Sequence, residues 1–87
     1  MDKEIKMDKR EENKITIQAR LKVLNKSLVS EENSVQYYQT LLENTAPDSD
    51  EKIGERRIYE DLQAEEKKHV QVIQNMIQNW ENKLKDM

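Results

Sequence analysis

An all-α fold, an antiparallel two-helix hairpin that dimerises into a four-helix bundle, is what this chain predicts, and three observations predict it. Among 87 residues there are one Gly, one Pro and no Cys, so almost nothing interrupts a helix. Two long segments carry core-type residues at alternating spacings of three and four, the period of a helix face packed against another helix. Between them, Thr45-Ala46-Pro47-Asp48-Ser49 is a well-marked turn.

Residues 1–13, MDKEIKMDKREEN, are nearly all charged and are expected to form a mobile, solvated segment ahead of a hairpin unit at 14–87. The first helix is expected from about Glu12 to Asn44, with the stripe Ile17, Leu21, Leu24, Leu28, Glu31, Val35, Tyr38 and Leu42. Pro47 disfavours helical geometry at Ala46, and Asp48 with Glu51 three residues on reads as a capping-box-like start. The second helix then runs from about Ser49 to Lys85, with the stripe Tyr59, Leu62, Glu66, His69, Ile73, Met76 and Trp80. Gly54 costs ~1 kcal/mol relative to Ala inside it; close packing and a tolerated weak spot would both account for that. Helices of this length extend ~50 Å, so the short turn forces them antiparallel.

Charged residues make up 38% of the chain and hydrophobic ones 34%, too little apolar surface for a solitary hairpin to be comfortably stable. Self-association is expected, two hairpins making a four-helix bundle. The net charge of −3 comes from interleaved acids and bases, which argues against nucleic acid as a partner. No apolar run approaches the ~20 residues of a membrane span, and the start lacks a signal-peptide core, so a soluble cytoplasmic protein is expected. Without Cys there is no disulfide, no thiolate zinc site and no rubredoxin-type iron centre. One His, no Cys and no Gly-rich phosphate loop leave little material for a nucleophilic triad or nucleotide chemistry.

Ionised groups on a core stripe need a reason, and three stand there: Glu31 on the first helix, Glu66 and His69 on the second. A lone buried carboxylate costs several kcal/mol, on the order of the penalty for any unpaired buried charge, unless it is paired, protonated or bound to metal. Folding about Pro47 brings Glu31 and Glu66 to similar heights, and a two-fold partner would double the set to four carboxylates and two imidazoles. That is the ligand set of ferritin-like di-iron bundles. Carboxylate and imidazole without thiolate favour Fe, with Mn or Zn as substitutes. Plainer readings exist for each residue. His69 alone would be an ordinary core or interface histidine. Glu66 belongs to the charge run Glu65-Glu66-Lys67-Lys68, and Glu32 would take the inner place of Glu31 in a rotated helix. Tyr37 and Tyr38 read as packing aromatics in a chain with no Phe, although Tyr38 can hydrogen-bond a ligand carboxylate. Trp80 and Met76 read as apolar closure at the far end, and Glu43, Glu55 and Asp61 as surface.

The stretch Glu31-Glu32-Asn33-Ser34-Val35-Gln36-Tyr37-Tyr38, followed by Glu65-Glu66-Lys67-Lys68-His69, resembles the erythrin half-unit of rubrerythrins and, more closely, encapsulated ferritins. The similarity runs from about Leu28 to Trp80. It implies a hairpin that becomes ferritin-like only as a homodimer or higher oligomer, with a di-iron ferroxidase centre at the interface. It further implies that Glu31, Glu66 and His69 are the metal ligands and that Tyr38 lies just behind them. An encapsulin-type shell is a partner the resemblance suggests, and with it a place inside a protein nanocompartment. Two departures stand against that: the link between the ligand segments looks longer, and no cargo-loading tail is recognised after Lys83-Leu84-Lys85-Asp86-Met87. The Cys-rich electron-transfer module of full rubrerythrins has no counterpart either.

The function expected on these grounds is oxidation of Fe(II) to Fe(III), with iron both substrate and cofactor. A rubrerythrin-like peroxide reductase on the same residues is one alternative, and a metal-free helical scaffold or interaction module is another.

Overall fold

The computed structural model describes residues 12–87; the charged segment expected to be mobile lies outside this range except for Glu12 and Asn13. Helix α1 spans Lys14–Glu43 and helix α2 spans Asp50–Lys85. The Asn13 side chain caps α1 by accepting from the Thr16 amide, while the Thr16 hydroxyl accepts from the Asn13 amide, so two of the orphan donors are satisfied reciprocally. Glu12 folds back over this start and holds Arg20 in a two-pronged ion pair, 2.9 and 3.0 Å. At the start of α2 the cap is Ser49, which accepts from the Lys52 amide, and not Asp48. Asp48 sits one residue too early for the cap and instead pairs with Lys52 at 3.6 Å.

The two helices treat their dipoles differently. Helix α2 carries Asp50 and Glu51 in its first turn and Lys83 and Lys85 in its last, each sign matched to the end it occupies. Helix α1 has no basic residue in its last turn. The charge arrives from across the turn: the Arg56 guanidinium donates to the carbonyls of Leu42, in the last turn of α1, and of Thr45, just beyond it. One arginine thus terminates α1 and ties it to α2.

The helices pack antiparallel along a seam, and cross-helix contacts set its register: Gln63 meets Val35, His69 meets Glu31, and Arg20 lies over Trp80. On α1 the seam is the stripe read from the sequence, every member of which is buried or half-buried. On α2 it is not. The seam there is Arg56, Tyr59, Gln63, Glu66, Val70, Ile73, Ile77, Trp80 and Leu84, a strict alternation of three and four. Leu62, His69 and Met76, expected in the core, are exposed on the flank beside it. The reason is chemical: polar Arg56 and Gln63 occupy true seam positions, so the apolar pattern pointed to the neighbouring row.

Few side chains are enclosed. Among the described apolar residues only Ile17, Leu42 and Ile77 count as buried, and the molecule is 14 Å across its thinnest direction, one layer of helices. Its two broad flanks differ. One bears Val23, Tyr37, Ile58, Leu62, Val72 and Met76, all exposed. A recess lined by residues of both helices, Val23 and Leu24 with Met76 and Trp80, shows that the α1 and α2 members share this side. The opposite side is more polar, with Gln18, Asn25 and Glu32 on α1 and Glu60, Lys67 and Gln74 on α2, interrupted by exposed Val29 and Ile53. Neither helix is long and apolar enough to cross a membrane. Gly54 has open space where a Cβ would stand, so close packing is not why it is there.

Candidate metal centre

Glu31 enters from the middle of α1, and Glu66 and His69 enter from α2, three residues and therefore one turn apart on the same face. Glu66 is a seam residue facing Glu31. His69 stands on the flank one turn further on, and its ring reaches back over both carboxylates: Nδ1 lies 2.9 Å from Glu31 Oε1 and 2.9 Å from Glu66 Oε1. The cross-helix contact spans 38 residues of sequence, so the hairpin register alone brings the three together.

The electrostatics follow from that convergence. A single Nδ1–H stands between two carboxylate groups, and imidazolium is favoured over imidazole. The hydrogen bond to Glu31, then that to Glu66, raise the His69 pKa above its ordinary value, against a smaller opposing effect of burial. The carboxylates are recessed, their side chains 24% and 20% exposed, whereas the imidazole is 54% exposed. The cluster is therefore walled by the hairpin on one side and open on the apolar flank.

One ligand atom from each residue lies within 4.8 Å of the other two. Bonds of roughly 2.0–2.2 Å to carboxylate oxygen and imidazole nitrogen hold two donors of one ion at most about 4.4 Å apart, so a spacing of up to 4.8 Å asks the side chains to draw in slightly to share an ion. Two oxygen donors and one imidazole suit borderline to hard divalent ions and do not single one out. Such an ion would take the place of the shared proton at Nδ1. Three donors fill only part of a coordination shell, and the open side is where further ones would have to come from.

The other candidates fall outside the cluster. Glu32 is exposed, as are Glu43, Glu55 and Asp61. Among the described residues Tyr38 makes no hydrogen bond to the three; seven residues beyond Glu31 it lies about 10 Å along the helix and packs edge-on against Tyr37 with ring centroids 5.7 Å apart. Tyr59, not Tyr38, is the tyrosine whose hydroxyl donates to a carboxylate, that of Glu55. Trp80 closes the far end between two cations, Arg20 at 4.9 Å and Lys83 at 5.5 Å from its ring centre.

Sequence reasoning passed over Gln63. It is the buried polar residue next along the seam from the cluster, 8% exposed, and its amide donates to the Val35 carbonyl at 3.1 Å and to Gln39 Oε1 at 3.0 Å. Its position three residues before Glu66 was the available signal. Compared with protein-family models, with curated proteins and with solved structures, the chain matches none.

Proposed function

We propose that this chain is a metal-binding half-unit whose Glu31, Glu66 and His69 meet the same three residues of a second copy, forming a di-iron centre that oxidises Fe(II). The observation that carries the reading is the convergence of two carboxylates on one nitrogen of a half-exposed imidazole, in contacts of 2.9 Å. Fe(II) is the substrate: each ion gives one electron to dioxygen and leaves as Fe(III). The chain's residues bind and pair the ions. The carboxylates supply the negative charge that favours the higher oxidation state, and His69 binds once its Nδ1 proton has gone.

Anaerobic titration with Fe(II), followed by admission of oxygen, tests this. Saturation near one iron per chain and rapid oxidation are expected. A second reading has one observation in its favour: His69 Nδ1 already lies within hydrogen-bond distance of both carboxylates, so the triad also works as a polar staple in a metal-free helical scaffold. Absence of tight binding in the titration would select the scaffold.

A further inference from the structure

At the end of the hairpin away from the turn, a carboxylate is already held beside an apolar recess. The Glu12 side chain accepts from Arg20 Nη2 at 2.9 Å and Nε at 3.0 Å, and from the Thr16 hydroxyl at 3.2 Å. Arg20 lays its guanidinium over Trp80, 4.9 Å from the ring centre, and Lys83 stands 5.5 Å from the same ring. The Arg20 hydrogen bond holds the Glu12 carboxyl below its ordinary range, and the charges of Arg20 and Lys83 act in the same sense. Two cations thus serve one carboxylate, and among the described residues Lys83 makes no ion pair of its own. Arg20, Val23, Leu24, Met76 and Trp80 line a recess of 370 Å³, and an adjoining one of 280 Å³, bounded by Lys83, shares Met76 and Trp80 with it. Recesses of 570 and 560 Å³ on other faces are larger, but neither has an aromatic ring or an arginine in its walls.

We infer that this end of the hairpin binds a medium-chain fatty acid, its alkyl chain in the recess against Val23, Leu24, Met76 and Trp80 and its carboxylate on Arg20 in place of Glu12. A guanidinium edge that pairs two-pronged with a carboxylate, backed by an aromatic face, selects a planar anion. Lys83 supplies the second positive charge, which draws a further carboxylate to a place where the chain's own already sits. The recess walls are apolar, so a ligand with a hydrocarbon body gains from entering them. A volume near the low end of the roughly 300–1,000 Å³ range of ligand pockets suits a small molecule and is too small for a peptide. Half-exposed ion pairs such as Glu12–Arg20 contribute little by themselves, so the exchange costs little. Glu12 is then an internal competitor that occupies Arg20 until a carboxylate with an apolar tail displaces it. The inference does not depend on the metal reading: Trp80 lies about 16 Å beyond His69 along α2.

Trp80 is the chain's one tryptophan, so its emission reports directly on the site. The full chain is titrated with decanoate and, separately, with decanol, which keeps the hydrocarbon and lacks the charge. Saturable decanoate binding is expected, tighter than decanol by about fivefold or more, the scale of one partly exposed ion pair. Glu12→Gln frees Arg20 and should tighten decanoate binding by roughly two- to fivefold while leaving decanol unchanged. Arg20→Gln should weaken decanoate binding by about tenfold, as for a lost hydrogen bond to a charged group. Because Glu12 and Arg20 also fasten the start of α1, Lys83→Gln is the variant that breaks no ion pair among the described residues, and it should weaken decanoate binding by roughly two- to threefold. Circular dichroism on each sample checks helicity. Equal affinity for decanol, or no saturable change in emission, overturns the inference and reduces the recess to a general apolar surface. Decanoate binding that Glu12→Gln leaves unchanged or weakens at parental helicity overturns it as well, and makes Glu12 a structural strap. Should Glu12→Gln lose helicity, decanoate binding unaltered in Lys83→Gln has the same force.

Discussion

Two neighbouring polar layers midway along the seam of this hairpin, one step apart, are finished differently. At Gln63 the interruption is closed: the side chain is buried, and its amide finds the Val35 carbonyl and the Gln39 side chain within the same chain. At Glu31, Glu66 and His69 it is open: two carboxylates share one nitrogen, and the imidazole is more than half exposed. A neutral amide can be satisfied by neighbours it already has. Two anions cannot, and they require a positive charge, either the His69 proton or a metal ion. The first layer specifies how the helices fit, and the second is where a ligand can enter.

The sharpest way to break the comparison is through metal binding. His69→Ala removes one of three donors from the open layer and should weaken Fe(II) binding by about a hundredfold or more, with oxidation lost and helicity retained. Gln63→Leu, one turn away on the same helix face, should leave binding within a few-fold. Equilibrium titration with circular dichroism on the same samples checks both. Equal losses in the two variants would mean that the layers are one unit and the distinction drawn here is false.

Stability should separate them in the opposite sense. Gln63→Glu puts a charge into the closed layer, aimed at a carbonyl and an amide oxygen, and should cost about 3 kcal/mol in urea unfolding, the range for an uncompensated buried charge. Glu31→Leu, Glu66→Leu and His69→Leu combined remove charges from the open layer and should stabilise the metal-free protein by roughly 1 kcal/mol, the low end for replacing buried ionic groups with apolar ones. The low end applies because these side chains keep contact with water. A metal-free triple variant less stable than the parent would make the cluster a structural staple.

How much of this was legible before folding depends on which helix is read. On α1 the apolar run from Ile17 to Leu42 is broken only by Glu31, and the stripe could be placed without error. On α2, Arg56 and Gln63 take seam positions, so hydrophobic spacing favoured the row containing Leu62, His69 and Met76. His69 was therefore expected in the core, yet it stands on the flank and reaches in only because its side chain spans the distance to Glu31. Glu31 and Glu66 could be matched in height because the turn around Pro47 sets the register. What Arg56 does could not be read: no local pattern announces that a guanidinium fourteen residues on from Leu42 will close the end of α1. The same holds for Gln63, whose partners belong to the other helix.

Proton linkage gives the smallest effect, because His69 is open to solvent, but it distinguishes the layers most directly. Its pKa is raised in the folded state by Glu31 and Glu66, so the imidazolium is held more tightly folded than unfolded. The resulting stability is fully present below the ordinary histidine range and is lost as pH rises through the folded value. A bound divalent ion reverses the trend, since it needs Nδ1 free of its proton and competes better as pH rises. Between about pH 6 and about pH 8, above the range of ordinary carboxylates, the metal-free protein should therefore lose a little thermal stability, while the increase in melting temperature caused by Fe(II) under anaerobic conditions should grow. His69→Gln should flatten the metal-free profile, and Gln63→Leu should leave it unchanged, because Gln63 has no proton to exchange. A metal-induced shift that does not depend on pH in the parent would place the ion away from His69.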